Sequence, residues 1–263
     1  MSDDLQELIT ERRGNVRWVT FNRPQARNAL TWNMYGRLLE ACEEANRERD
    51  LRAMVFTGAG GKAFVAGTDI AQFRSFTTPQ DALDYEARGN LVMSAVEAVR
   101  VPTIAAIAGP CTGAGAAIAA CCDLRIASPS ARYGIPIART LGNCLSMPNY
   151  ARLASLLGIA RLKDMIMRAR LMDAGEMLAC GLVSEVTADE ESLPPRAQQL
   201  AEEVGANAPL TLWATKEALR RVRDQSIPQG ADSDLIVACY MSKDFREGVE
   251  AFLAKRKPTW SGE

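Results

Sequence analysis

Short apolar runs alternate along the chain with longer segments at helical spacing. Val16–Phe21 (VRWVTF) alternates and predicts a strand. Thr31 is a good N-cap for a helix from Trp32 to about Arg49, with Met34, Leu38, Cys42 and Ala45 inward and Glu40, Glu43 and Glu44 outward. RAMVFTG (Arg52–Gly58) predicts a buried strand. The Gly-rich loop AGGKAFVAGTDIAQF follows, leading into a short helical segment. Pro79–Arg100 predicts a helix with Val92, Ala95, Val96 and Val99 at core spacing. Thr103–Ser128 (TIAAIAGPCTGAGAAIAACCDLRIAS) predicts strand, turn, helix, strand. The small residues after Gly113 allow that helix to lie close against a sheet.

Residues 129–149 are punctuated by Gly134, Pro136, Gly142, Asn143 and Pro148 and predict a loop. Tyr150–Leu157 and Ala160–Met167 predict helices broken at Gly158. Asp173 and Glu176 form a capping box for another helix, which Gly181 ends before a last strand, LVSEV. TADEESLPP (Thr187–Pro195) marks a boundary between residues 1–194 and a helical region, 195–263. Helices are predicted there over Arg196–Val204, Leu210–Arg223, Asp234–Tyr240 and Lys243–Arg256. Strands alternating with helices point to an α/β fold with a mostly parallel sheet.

Composition removes several classes of function. The 263 residues are 48% hydrophobic and 24% charged, with a net charge of −1, an ordinary globular balance. No Lys/Arg stripe invites nucleic acid, and no apolar run is long enough for a membrane span. The start, MSDDLQELITERR, does not read as a signal peptide. Seven cysteines without a C-x-x-C pair give neither a disulfide framework nor a zinc site. They suit a reducing, cytoplasmic setting. There are no histidines, so a Ser-His-Asp triad, a Cys-His dyad and a His-ligated metal are all excluded. Proton transfer falls to Asp, Glu, Lys, Tyr, Cys or water.

Gly113-x-Gly115 is not a dinucleotide fingerprint. Ile118 stands at the third small position, and no acidic residue follows about twenty positions on. What stands out instead is that two Gly-rich loops each follow a buried strand: AGGKAFVAGTDI and GPCTGAG. On one edge of a parallel sheet their backbone N–H groups can converge on an oxyanion, each donor worth about 3–4 kcal/mol.

KAFVAGTDI (Lys62–Ile70), NRPQARNAL (Asn22–Leu30), the Val101–Ser128 segment, DAGEMLACGLVSEV (Asp173–Val186) and EGVEAFLAKRKP (Glu247–Pro258) together resemble the crotonase superfamily, the enoyl-CoA hydratase/isomerase family. The resemblance implies a crotonase-like ββα spiral core with a C-terminal helical oligomerisation region forming trimers or hexamers. It implies acyl-CoA thioester substrates, with coenzyme A as part of the substrate and no metal. It puts the oxyanion donors at Ala66 and Ala114. Coenzyme A contacts fall at Ala26, Arg27, Ala66, Gly67, Thr68, Asp69 and Ile70, with Lys255 and Lys257 as further candidates.

The two glutamates used by hydratases of the family fall at Ala117 and Ile137, so both carboxylates are absent. Hydration needs a base for water and an acid for Cα, and neither side chain supplies one. The loop Pro136–Pro148 resembles that of family members in which a carboxylate follows an Asn. Here Asn143 is followed by Cys144, a candidate nucleophile or base whose plainer reading is a packed thiol. Arg139 could orient a substrate carboxylate or polarise a carbonyl, against a helix-capping or interface role. Tyr85 and Glu86 lie where family acyl pockets draw residues. Glu86 is a candidate replacement base, against the default of an exposed helix-face carboxylate. The expected function is acyl-CoA chemistry through a thioester enolate with a non-standard acid/base set. The alternatives are a Cys144-dependent thioester or C–C bond hydrolase and a catalytically silent CoA-binding member.

Overall fold

The computed structural model describes residues 7–225 and 233–261. The first six residues of the polar N-terminal stretch, and part of the predicted C-terminal region, lie outside the described residues.

Three ββα turns build the body. In each, a strand of a large sheet is followed by a short strand of a second sheet and then by a helix. The first turn is β3 (Ala53–Gly58), β4 (Val65–Ala66) and α2 (Pro79–Glu97). The second is β5 (Thr103–Ile107), β6 (Pro110–Thr112) and α3 (Ala114–Cys121). The third is β7 (Leu124–Ala127), β8 (Arg132–Gly134) and α4 (Ile137–Thr140). Before them come β1 (Leu8–Arg13), β2 (Val16–Phe21) and α1 (Trp32–Arg47). After them come α5 (Met147–Leu157), α6 (Ile159–Met167), β9 (Met172–Asp173), α7 (Ala174–Ala179) and β10 (Glu185–Val186). The large sheet runs β1-β2-β3-β5-β7-β10 and the small one β4-β6-β8-β9. All pairings are parallel except β1 with β2 and β8 with β9. The ββα spiral expected from the resemblance is therefore present.

The expected α1 is capped by Thr31, whose hydroxyl accepts from the Met34 N–H, and it buries Met34, Leu38, Cys42 and Ala45. β1 was not expected, because only Leu8 of its six residues is buried. β4, β6 and β8 replace what reads in sequence as Gly-rich turns and loop.

α3 packs closely on β4. A Cβ on Gly115 would stand 2.1 Å from the Val65 carbonyl oxygen, which only a glycine avoids. The C-terminal end of α3 is closed by buried Arg125, which donates to the carbonyls of Cys122 (2.6 Å) and Ala119 (3.2 Å).

The remaining helices are α8 (Leu193–Gly205), α9 (Pro209–Asp224), α10 (Ser233–Tyr240) and α11 (Lys243–Leu253). α8 covers the outer face of the large sheet, with Leu193, Ala197, Leu200 and Ala201 against Trp18, Val55 and Ile104. α10 and α11 fold back over the chain's own α2 and the 3₁₀ segment Ile70–Ser75, burying Phe73, Ala82, Ile236, Tyr240, Phe245 and Val249 together.

Candidate active site

Because β4 and β6 are parallel neighbours, with Ala66 opposite Thr112, the chain leaves both strands side by side. Their exits touch: a Cβ on Gly113, itself at φ +55°, would stand 3.4 Å from the Gly67 Cα. Between these loops and α2 lies a cavity of about 160 Å³. Gly67, Thr68 and Ile70 line it from one side and Thr112, Gly113 and Ala114 from the other. Glu86, Gly89 and Met93 of α2 close it, with Ile137, Leu141, Asn143 and Leu145 of the loop after β8.

Thr68 and Ala114 both line this cavity, and neither main-chain N–H has an acceptor among the described residues. Ala114 is the first residue of α3, so its N–H has no intrahelical acceptor and sits at the positive end of the helix. The second donor differs from the expectation. The Ala66 N–H donates to the Arg27 carbonyl (3.1 Å) and is already used. Thr68 forms a parallel bridge with Leu30, in which the Leu30 backbone bonds Gly67 and Asp69. The Thr68 N–H therefore points the other way, and among the described residues it has no acceptor. The unbonded N–H of this loop is thus that of Thr68, two positions on from Ala66.

The Thr68 side chain is fixed as well. Its Oγ1 lies 2.8 Å from the Tyr35 hydroxyl and 3.0 Å from the Tyr85 hydroxyl, a chain of three hydroxyls along one wall. Burial pushes Tyr35 up to about 12 and Tyr85 well above the usual phenol range, so both stay protonated.

Glu86 is 6% exposed and, among the described residues, is the one carboxyl in the cavity lining. Its Oε1 accepts from the Tyr240 hydroxyl at 2.6 Å, and that hydroxyl accepts from Asn143 Nδ2 at 3.0 Å. The default of an exposed helix-face glutamate is thus overturned. The signal was in the sequence: Ala82, Glu86, Gly89, Met93 and Val96 follow one another at alternating intervals of four and three, the spacing of a buried helix stripe.

The other candidates separate. Ala117 and Ile137, where the family's glutamates were expected, line the cavity as apolar walls. Asn143 lines it too. Arg139 is exposed on the outer side of α4 and does not reach it. Cys144 is buried outside the lining, in the cluster of Phe73, Leu141, Tyr240 and Phe245, although its neighbour Asn143 lines the cavity. Its thiol bonds that of Cys239, which is drawn down from 9.0 to about 7.

Asp69 also turns away from the cavity. Its carboxylate pairs with Arg23 at 3.1 Å and accepts from the Ala71 N–H. Ala26 is half-buried and Arg27 exposed beside β4, the backbone of Arg27 held by the Ala66 bond. Lys255 and Lys257 are exposed. Among the described residues no group of three or more Cys, Asp or Glu is placed to hold a metal ion. No described helix is long and apolar enough to cross a membrane.

The family profile described as enoyl-CoA hydratase/isomerase matches residues 11–263. The chain belongs to that family. It is 34% identical to the short-chain-enoyl-CoA hydratase of Clostridium acetobutylicum, over 97% of each chain. It is 32% identical to the crotonyl-CoA hydratase of Syntrophomonas wolfei, over 96% of each. Among solved structures, an enoyl-CoA hydratase/carnithine racemase from Magnetospirillum magneticum superposes with a TM-score of 0.79. It is 32% identical, over 98% of this chain and 96% of that one. A methylmalonyl-CoA decarboxylase in complex with 2-nitronate-propionyl-CoA superposes with a TM-score of 0.89, at 25% identity over 98% and 99%. This enoyl-CoA hydratase/isomerase-type chain is an acyl-CoA-processing enzyme, with coenzyme A entering as part of the substrate.

Proposed function

We propose that the enzyme holds a thioester oxygen between the N–H groups of Thr68 and Ala114 and moves a proton on the acyl chain with Glu86. The observation that carries this reading is the buried Glu86 in a cavity whose two usual glutamate positions are Ala117 and Ile137. One carboxylate suits a proton shuttle. Glu86 takes a proton from the acyl chain, the C–H electron pair becomes a C=C bond conjugated with the thioester, and the carbonyl π pair moves onto the thioester oxygen. The same carboxyl then returns the proton to another carbon of the conjugated system. Hydration needs a second group to activate water, and the lining offers no second carboxyl among the described residues. Poor hydration of crotonyl-CoA is expected.

The pantetheine and nucleotide are assigned to the edge formed by Ala26, Arg27, Ala66, Gly67, Thr68 and Ile70, where exposed Arg27 offers a fixed cation for phosphate. Asp69 shapes that loop through Arg23. The region from residue 195 onward is assigned two roles: α10 and α11 cover the acyl cavity, and α9 meets neighbouring subunits of a trimer or hexamer. Leu210, Trp213, Leu219 and Val222 of α9 are all exposed.

The likeness to the decarboxylase favours a second reading, an enolate formed by loss of a carboxylate. Glu86 argues against it, since a carboxyl in the same small cavity repels a carboxylated acyl group. Incubation with acyl-CoA esters in D2O tests the first reading through deuterium incorporated at Cα. Glu86→Gln is expected to lower exchange by about 100-fold or more while keeping ester binding. Ala114→Pro removes one donor at a helix position that tolerates proline, and should cost about 100–1,000-fold. Exchange at the parent rate in Glu86→Gln would remove Glu86 from the mechanism. Release of CO2 from a malonyl-type thioester would install the second reading.

A further inference from the structure

The charge of Glu86 acts on tyrosines from four helices, Tyr35 of α1, Tyr85 beside it on α2, Tyr150 of α5 and Tyr240 of α10, and the thiols of Cys144 and Cys239 act on Tyr150. Tyr240 donates to the carboxylate, and it comes from the C-terminal helices rather than from the ββα spiral.

Tyr240 is held more firmly than a surface tyrosine could be. It is 1% exposed, with the rings of Phe73, Phe76, Tyr85 and Phe245 between 4.8 and 6.4 Å from its own. Its oxygen accepts from Asn143 Nδ2, so its single proton is directed at Glu86 Oε1. Burial, and then the charge of Glu86, keep the phenol well above its usual range, so it remains a donor throughout the working pH range.

We propose that Tyr240 is a positioning residue for proton transfer. It fixes one carboxylate oxygen of Glu86 and supports its ionised form, with Asn143 orienting the phenol, so that docking of α10 completes the acid/base group. This rests on the assignment of proton transfer to Glu86. A purely structural Tyr240 would fill the aromatic cluster and leave the ionisation of Glu86 alone, and the two roles separate in pH dependence. A carboxylate that loses a hydrogen-bond donor is harder to ionise. Removing the hydroxyl must therefore move the rise of activity with pH towards higher pH.

The experiment compares the parent enzyme, Tyr240→Phe, Asn143→Ala and Glu86→Gln in the D2O exchange assay between pH 5 and 9. The expected result for Tyr240→Phe is an acid limb about one pH unit higher and kcat about 10-fold lower near neutrality. Its KM for the ester should stay within about two-fold and its melting temperature within a few degrees. Asn143→Ala should move the limb the same way by less. An unshifted limb in Tyr240→Phe, with Glu86→Gln inactive, would overturn the proposal and leave Glu86 as the acid/base. Full exchange in Glu86→Gln would overturn the assignment of Glu86 itself. Should Tyr240→Phe melt far lower, Tyr240→Met or Tyr240→Leu, which refill the cluster without a hydrogen-bond donor, supplies the decisive profile. A shifted limb in a stable refilled variant supports the proposal, and an unshifted one overturns it.

Discussion

Asn28 shows what one side chain inside the NRPQARNAL motif does. It is fully buried at φ +58°, a conformation Asn tolerates better than most residues. Its Oδ1 accepts from the Arg23 N–H (2.9 Å), and its Nδ2 donates to the carbonyls of Ala63 (2.8 Å) and Ala59 (3.2 Å). It ties the Arg27 turn to the segment that enters β4, beside the proposed donors. Asn28→Ala is expected to cost about 2–3 kcal/mol, because three backbone groups, one buried and two half-buried, lose their partner, and chemical denaturation measures it. Cysteine chemistry separates at this scale too. Cys239, drawn to about 7 and half-buried, should be the first thiol alkylated by iodoacetamide at pH 7.5. Cys42 and Cys121, pushed up to about 12 by burial, should stay unlabelled in the native protein by mass spectrometry. Alkylation of Cys144 before Cys239 would contradict this packing. The reactivity of Cys144 was unreadable from sequence because it depends on which way one turn faces.

Among the elements, the long helices were legible and the short strands were not. α1 declares itself through its Thr31 cap and an inward stripe, and α7 through its capping box. β4, β6 and β8 have two or three residues each, too few for any alternation to show. They are made by pairing across the second sheet, a tertiary event. The run of small residues in α3 was a readable sign of close packing, and Gly115 tests it. With its Cβ 2.1 Å from the Val65 carbonyl, Gly115→Ala must push α3 off β4. A loss of about 1–3 kcal/mol is expected, with deuterium exchange at Cα reduced as well because Ala114 moves with the helix. Unchanged melting temperature and exchange would show that this contact does not position the donor. In α2 the stripe that includes Glu86 was present. A glutamate at a core position reads as exposed until a cavity and a tyrosine on a distant helix explain it.

Across the whole molecule, the lack of histidine shapes the response to pH. Several carboxylates are held below their ordinary range by arginine or backbone partners, among them Glu185 by Arg196, Asp164 by Arg170, and Glu247, down to about 2, by Arg256. A lowered carboxyl stabilises the fold above its unfolded value, 4.5 for Glu and 3.8 for Asp, and that share is lost as pH falls through the folded value. Melting temperature should therefore be nearly flat from about pH 5.5 to 6.5, rise modestly above about pH 7 as the lowered Cys239 thiol ionises, and fall steadily from about pH 4.5 towards pH 2. A sharp transition near pH 6.5 would show that another group controls stability.

The amino-acid sequence alone pointed to the family and to the longer strands and helices, and it puts Ala117 and Ile137 where the resemblance expects glutamates, since local periodicity and contiguous motifs carry that information. Tertiary structure decided which N–H of the first loop is free and that Arg139 and Cys144 lie off the cavity. It also decided that Glu86 is buried against a tyrosine 154 residues away. Those outcomes depend on where a backbone group points and on which distant elements meet, and neither is a property of neighbouring residues in the chain.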